Sequence, residues 1–329
     1  MAGPLLELDK LSTHYISARG TRVTRAVQDV SLSLEAGQTL GIVGESGSGK
    51  TTLALSMLRL LPPAARIVSG GLRFDGEDLL KKSPREMRQI RGKKMAMILQ
   101  DPMASLNPLF TIGDQVSEPI RVHEGTPKRS AWDRARALLA SVRIAAPERR
   151  VKEYPHEMSG GMRQRIVGAI AISCEPRLLI ADEPTTSLDV TIQAQYLNLL
   201  RDIQRERGLA LIFITHNLGI VARMCDTVAV MYAGRLIEYG PVRRIFDQPT
   251  HPYTRALLES IPRLTDTDAR LTAIDGQPPD PAALPGGCAF HPRCPKALDR
   301  CRSEAPPNYA IAAQHTAACW LEDGAPLAR

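Results

Sequence analysis

The chain has 329 residues, 43% of them hydrophobic and 23% charged. That is the balance of a globular protein, longer than a single core usually grows, so one large domain and a smaller one are expected. No stretch approaches the ~18 to 20 apolar residues of a membrane span, and the N-terminus lacks the basic start and apolar core of a secretory signal, so a cytoplasmic protein is expected. The net charge of +7 is spread along the chain and only 4% of residues are aromatic, too few for a row of base-stacking platforms, which argues against nucleic acid as a partner.

In chain order, period-two alternation over Leu5–Tyr15, Arg22–Val30 and Ser31–Leu34 predicts short strands of an antiparallel region, with turns at Ala18-Arg19-Gly20 and Glu35-Ala36-Gly37. Tyr15, near the end of the first strand, serves either in packing or as an aromatic face for adenine. An apolar strand, Thr39–Val43, then enters Gly44-Glu45-Ser46-Gly47-Ser48-Gly49-Lys50-Thr51-Thr52, and a helix from Thr52 to Leu61 leaves it. The segment fits G-x-x-x-x-G-K-[ST] without a mismatch, and strand, loop and helix are the context this phosphate-binding motif requires. Its glycines allow backbone N–H groups to turn inward on a polyphosphate, and the helix N-terminus adds partial positive charge. Lys50 would reach the β- and γ-phosphates and the Thr51 hydroxyl would ligate Mg²⁺. The alternative, a glycine-rich turn with a chance lysine, does not account for the flanking strand and helix.

Pro62-Pro63 breaks the chain, and Gly70–Glu77 reads as a strand and turn. A further strand, Lys94–Leu99, ends in Gln100-Asp101-Pro102. Between Thr111 and Pro155 the pattern turns helical: Ala135, Leu138, Leu139 and Val142 share one face of a helix over 131–142. Met158-Ser159-Gly160-Gly161-Met162-Arg163-Gln164-Arg165 leads into an apolar helix. The buried strand after it delivers two carboxylates, Asp182 and Glu183, at its C-terminal end. Buried charge needs a chemical reason, and Mg²⁺ supplies one. After a helix over 191–207, the strand Leu209–Thr215 places His216 at the end of a strand, where ligands of open α/β sheets collect; a lone histidine is otherwise more often structural. Residues 228–239 read as a closing hairpin.

Assembled, these residues resemble the nucleotide-binding subunit of an ABC transporter. The diagnostic element is Ser159-Gly160-Gly161-Met162-Arg163-Gln164, similar to the ABC signature. The phosphate loop, Gln100, Asp182-Glu183, Ser187-Leu188-Asp189 and His216 accompany it in family order. The resemblance implies an α/β P-loop ATPase with a RecA-like core, an antiparallel β subdomain and a helical subdomain. It implies Tyr15 as the adenine-stacking aromatic, Gln100 as a contact of Mg²⁺ and the attacking water, Asp182 as a holder of Mg²⁺, Glu183 as general base and His216 as a γ-phosphate contact. Ser187 to Asp189 match the loop through which two subunits communicate. Ser159, Gly160 and Gly161 are expected to act in trans, on ATP held by a partner's phosphate loop in a head-to-tail dimer. Met158 stands where the family most often has Leu, an apolar substitute of similar size.

Beyond Gly240 the composition shifts: thirteen of the 25 prolines and four of the six cysteines lie in residues 241–329, which predicts a small, irregular, turn-rich extension. Cys288, Cys294, Cys301 and Cys319 are separated by five, six and seventeen residues. Four thiolates in a cytoplasmic protein point to a metal site rather than disulfides, and suit either an iron-sulfur cluster or zinc. In the zinc alternative His291 and His315 are substitute ligands. Cys174 and Cys225, in apolar surroundings, read as core residues. The segment His251-Pro252-Tyr253-Thr254-Arg255-Ala256-Leu257-Leu258 and the cysteine region resemble the C-terminal extension of oligopeptide and dipeptide importer ATPases, which implies a [4Fe-4S] cluster on the four cysteines. The chain is therefore expected to comprise an ABC nucleotide-binding domain, residues 1–240 with a helical insert at about 105–165, and an extension, residues 241–329. The resemblance implies ATP hydrolysis driving di- or oligopeptide uptake at the cytoplasmic face of the inner membrane. The implied partners are a homologous second ATPase, two permeases and an extracytoplasmic solute-binding protein. Import of glutathione or nickel, or a non-transport ABC ATPase with a redox-sensing tail, are the alternatives.

Overall fold

A computed structural model describes residues 3–18, 20–186, 188–261 and 274–324. Twelve strands are described in it: β1 Leu6–Ile16, β2 Val23–Leu34, β3 Thr39–Val43, β4 Ala65–Phe74, β5 Glu77–Asp78, β6 Met95–Ile98, β7 Leu178–Asp182, β8 Ala210–Ile214, β9 Thr227–Tyr232, β10 Arg235–Pro241, β11 Tyr309–Ala312 and β12 His315–Ala317. The chain forms two compact units, one of Met1–Leu34, Thr39–Leu80 and Ile214–Arg329, the other of Glu35–Gln38 and Lys81–Phe213.

In the first unit an antiparallel sheet runs in the order β2-β1-β4-β5. The three short strands expected before Leu34 are two long ones. The alternation of burial breaks at register shifts after Leu8, Leu11 and Thr13, which are bulges rather than strand ends. Lys10 and Asp29 take left-handed φ of 46° and 49° there, and the Ser12 hydroxyl accepts the Asp29 N–H at 3.0 Å, so the extra residues are absorbed without losing the pairing. Asp75-Gly76 and Ala233-Gly234 close two-residue hairpin loops with positive φ at both positions, the twist that suits right-handed strands.

The same unit holds the run β11-β12-β10-β9-β3. Strands β3 and β9 are parallel, with Leu40 opposite Thr227 and Val43 opposite Val230. Every residue of both is buried, as continuous apolar strands covered on two faces must be. The extension is less irregular than its prolines predict: β12 pairs with β10, Glu238 opposite Ala317, so chain beyond residue 300 continues the sheet. Proline content marks turns but is silent on the short strands between them.

The second unit has strand order β8-β7-β6, with β6 and β7 parallel, and helices that include Ile112–Glu124, Lys128–Ser141, Gly160–Ala171 and Val190–Arg207. Helix Lys128–Ser141 buries Ala131, Ala135, Leu138 and Leu139, the face its sequence period indicates. Met158 is buried, consistent with an apolar position that accepts Met for Leu. Among the described residues no helix is long and apolar enough to cross a membrane.

Candidate functional site

The phosphate loop lies between β3 and the helix Lys50–Met57. Gly44, Gly47 and Gly49 all have positive φ, 151°, 77° and 99°. A Cβ on Gly44 would lie 2.2 Å from the Met231 carbonyl oxygen, and one on Gly49 2.2 Å from that of Ala26. Two of the three glycines are thus dictated by close backbone approach as well as by conformation. The Lys50 ammonium is folded back over the loop, donating to the carbonyls of Gly44 and Glu45 at 2.8 Å each and to Ser48 Oγ at 3.3 Å. A cation held by loop carbonyls is ready to exchange them for phosphate oxygens. Tyr15 reaches the first turn of the helix, its hydroxyl 3.3 Å from that of Thr52. His216 is exposed two residues beyond β8. The Thr215 N–H donates to the Ile42 carbonyl at 3.2 Å, which ties the approach to His216 to the strand that enters the loop.

In the second unit Asp182 ends the wholly buried β7 and is itself 2% exposed. Glu183 follows with φ 45°, a left-handed conformation that costs of order 1 kcal/mol for a residue with a side chain and concentrates at functional sites. Its Oε2 accepts the Gln100 amide at 3.1 Å and the Thr186 hydroxyl at 3.0 Å. Gln100 and Glu183, 83 residues apart, are therefore brought together. No motif marks Thr186 in the sequence; its spacing of three residues from Glu183 is the one local signal of this contact. Ser187 lies outside the described residues. Asp189 caps helix Val190–Arg207, accepting from Thr191 and Ile192 N–H.

Ser159 caps helix Gly160–Ala171, its hydroxyl accepting the Met162 N–H at 3.3 Å. Ser159 and Gly160 are exposed and a Cβ on Gly160 would meet nothing within 4 Å, whereas one on Gly161 would meet Ile192 at 2.8 Å. The signature therefore presents an open helix N-terminus. In this unit Gln100 and Asp182 carry oxygen donors of the kind a hard cation such as Mg²⁺ takes, and in the first unit Thr51 carries a hydroxyl of the same kind.

The four tail cysteines are free thiols. Burial pushes Cys288 and Cys294 up and Cys319 up to about 11. The Cys288 N–H donates to the Cys301 carbonyl at 2.8 Å, which sets those two residues side by side. The four cysteines do not close a cage: among the described residues no group of three or more His, Cys, Asp or Glu side chains is placed to hold a metal ion.

The histidine ligands of the zinc alternative have other roles. His315 Nε2 lies 2.9 Å from Glu238 Oε1, with the two side chains 2% and 0% exposed, and the His291 ring is 2.9 Å from the Cys288 carbonyl. Glu238 also accepts the N–H groups of Thr250 and His251. Burial pushes its carboxyl up, but the bonds from His315 and the two N–H groups outweigh that and hold it below the ordinary range. Cys174 and Cys225 are buried and burial raises both thiols, as core residues.

A sequence profile of the ABC transporter family matches residues 27–186, and one of the oligopeptide/dipeptide transporter C-terminal region matches 237–301. The chain is 50% identical to a probable peptide ABC transporter ATP-binding protein of Sinorhizobium fredii, over 96% of this chain and 94% of that protein. It is 48% identical to the dipeptide transport ATP-binding protein DppD of Bacillus subtilis, over 97% and 95%, and 46% to the oligopeptide transport ATP-binding protein OppD of Salmonella typhimurium, over 97% and 94%. Among solved structures, the ATP-binding cassette MJ0796, a dimer bound to ADP and Pi, shares the fold with a TM-score of 0.65 at 24% identity, over 72% of this chain and 99% of that one. Cassette cbiO1 of Clostridium perfringens aligns with a TM-score of 0.63 at 27% identity, over 74% and 91%. Kinship of this depth along nearly whole chains, joined to a glycine loop whose backbone only glycine can follow, makes this chain a member of the ATP-binding subunits of ABC peptide importers, ATP hydrolases coupled to transport.

Proposed function

We propose that the chain drives uptake of di- or oligopeptides through two membrane permeases, fed by an extracytoplasmic solute-binding protein, from the cytoplasmic face of the inner membrane. The observation that carries the substrate class is the match of residues 237–301 to the oligopeptide/dipeptide C-terminal region. The functional division is a nucleotide-binding part, residues 1–240 with its helical insert at about 105–165, and an extension, residues 241–329. Exposed Leu99, Leu109 and Phe110 support the stretch around the start of that insert as the permease contact.

Lys50 and the loop N–H groups bind the β- and γ-phosphates, Tyr15 faces adenine and His216 contacts the γ-phosphate. Thr51, Gln100 and Asp182 are the oxygen donors that would hold Mg²⁺, whose charge when bound offsets that of the phosphate oxygens. Glu183 takes the proton of the water that attacks the γ-phosphorus as the bond to ADP breaks, and Gln100 and Thr186 orient its carboxylate. Phosphoryl transfer asks mainly for such positioning and charge stabilisation. Ser159, Gly160 and Gly161 complete the site of a homologous second ATPase in a head-to-tail dimer, a role supported by the exposure of Ser159 and Gly160.

Replacing Glu183 with Gln in the assembled transporter is expected to lower turnover by about 10²–10⁴-fold with ATP binding retained; unchanged turnover removes Glu183 as the base. Deleting the chain is expected to abolish uptake of labelled di- and tripeptides, and uptake that persists while nickel or glutathione entry fails refutes the peptide assignment.

We also infer that Cys288, Cys294, Cys301 and Cys319 bind a [4Fe-4S] cluster. Four cysteines that are all free, two of them joined by the Cys288 N–H bond to the Cys301 carbonyl at 2.8 Å, support this. Iron and sulfide analysis of anaerobically purified protein tests it, and zinc or no metal is the refuting result.

A further inference from the structure

One residue of the phosphate loop has every polar group engaged by its own unit. The Glu45 carbonyl accepts from Lys50 at 2.8 Å, its N–H donates to the Tyr253 hydroxyl at 3.0 Å, and its carboxylate receives the Arg293 guanidinium in two parallel bonds of 2.7 and 3.1 Å. Tyr253 and Arg293 lie 208 and 248 residues further along the chain, in the C-terminal extension, and Arg293 immediately precedes Cys294.

Arg293 is built in rather than draped over the surface. Its side chain is 4% exposed, and beyond Glu45 it donates to the Tyr232 hydroxyl at 3.2 Å, the Asp275 carbonyl at 2.9 Å and the Ile274 carbonyl at 3.2 Å. All five guanidinium donors thus have acceptors, the condition under which a buried arginine is tolerated. Tyr232, Tyr253 and Phe290 pack against one another with ring centroids 4.7, 5.2 and 5.4 Å apart. The guanidinium and the Tyr253 hydroxyl are therefore delivered to Glu45 from a rigid aromatic support.

We propose that Arg293, acting through Glu45, is a positioning residue for nucleotide binding, with Tyr253 as its second strut. The inference rests on residues 44–52 being the nucleotide loop. When phosphate draws Lys50 away from the Glu45 carbonyl, the carboxylate and N–H anchors remain, so the loop keeps its shape at the moment it loses an internal bond. Without them the cost of ordering the loop falls on ATP binding.

The test is titration of a fluorescent ATP analogue into full-length wild-type chain, Arg293→Gln, Arg293→Lys, Glu45→Gln, Tyr253→Phe and the Glu45→Gln/Arg293→Gln double variant, with melting temperatures beside each. Arg293→Gln and Glu45→Gln are each expected to weaken binding about tenfold, the equivalent of ordering one or two more loop residues. The double variant should be no weaker than either single one. Arg293→Lys, which cannot fork onto both carboxylate oxygens, should fall between, and Tyr253→Phe should lose a few-fold. Lowered melting temperatures with wild-type affinity, or additive losses in the double variant, overturn the proposal. Should Arg293→Gln fail to fold, Glu45→Gln, at a half-buried carboxylate, breaks the same ion pair from its other side and decides the matter. Lys50→Ala separates the two readings: if it too binds ATP normally, the loop assignment fails, and if it alone loses binding, only the positioning role does.

Discussion

His251 begins the helix Pro252–Glu259 by accepting the Tyr253 N–H on its Nδ1 at 3.0 Å, so the ring that caps the helix is neutral, its proton assigned to Nε2 by that bond. Burial lowers its pKa from 6.5 to about 4, against the opposing pull of the Glu238 carboxylate. The folded pKa lies below the unfolded one, so between pH 6.5 and 4 the unfolded chain binds the extra proton and stability falls as pH falls. At pH 5 the two values give a loss of about 2 kcal/mol relative to pH 7.5. Glu238, held below its ordinary range, contributes stability that is lost mainly below pH 4.5, under the pH 5.0 end of the comparison. The comparison is urea unfolding of wild type and His251→Asn at pH 7.5 and 5.0, because Asn keeps a capping acceptor and does not titrate. Wild type should lose about 2 kcal/mol more than the variant on acidification. Parallel losses would falsify the assignment of a buried neutral imidazole, and with it the idea that acid loosens the helix carrying Tyr253 to the phosphate loop.

Glu238→Ala removes the centre of the buried network of His315, Thr250 and His251 and should cost about 3–5 kcal/mol, read as a lowered midpoint in the same unfolding assay. Gly44→Ala places a Cβ 2.2 Å from a backbone oxygen, whereas at Gly47 the space is open. Gly47→Ala should therefore show only a conformational penalty of about 1–2 kcal/mol, and Gly44→Ala should both melt earlier and bind ATP more weakly than it does. Thr186→Val leaves the Glu183 carboxylate with the Gln100 amide alone among these two donors. Turnover should fall about tenfold, the loss of one hydrogen bond to a charged group, with ATP affinity unchanged.

Much of the site was legible because its signals are local. A strand, a loop of spaced glycines and a lysine at the helix start can be read within fifteen residues, and glycine is the residue type that can adopt the positive φ values of positions 44, 47 and 49 without strain. Apolar runs that end in Asp182 or approach His216 locate strand ends in the same way. The bulges in β1 and β2 were not legible, because Lys10 and Asp29 adopt left-handed φ without the glycine that would announce it. What holds them are serine hydroxyls of the facing strand, Ser31 for the Lys10 N–H and Ser12 for that of Asp29, contacts that exist only after pairing.

The extension was read by composition, and composition misdirects where a minority of residues decides the structure. Glu238 sits in an otherwise apolar stretch, Leu236-Ile237-Glu238-Tyr239, and a carboxylate in a buried strand is tolerable only with donors. That demand is visible in the sequence, and the His315 ring meets it, so a pairing inside the fold is a simpler use of that histidine than a metal, while His251 contributes its backbone N–H. Arg293 presents the converse case. Its position beside Cys294 draws attention to a metal, yet its five donors are consumed by Glu45, Tyr232, Asp275 and Ile274. An arginine buried to 4% exposure must find a carboxylate, and this one finds it in the phosphate loop. The extension therefore acts on ATP binding through an ion pair whether or not its cysteines hold a metal, and the loss of that pair should be felt in nucleotide affinity even in protein freed of iron and zinc.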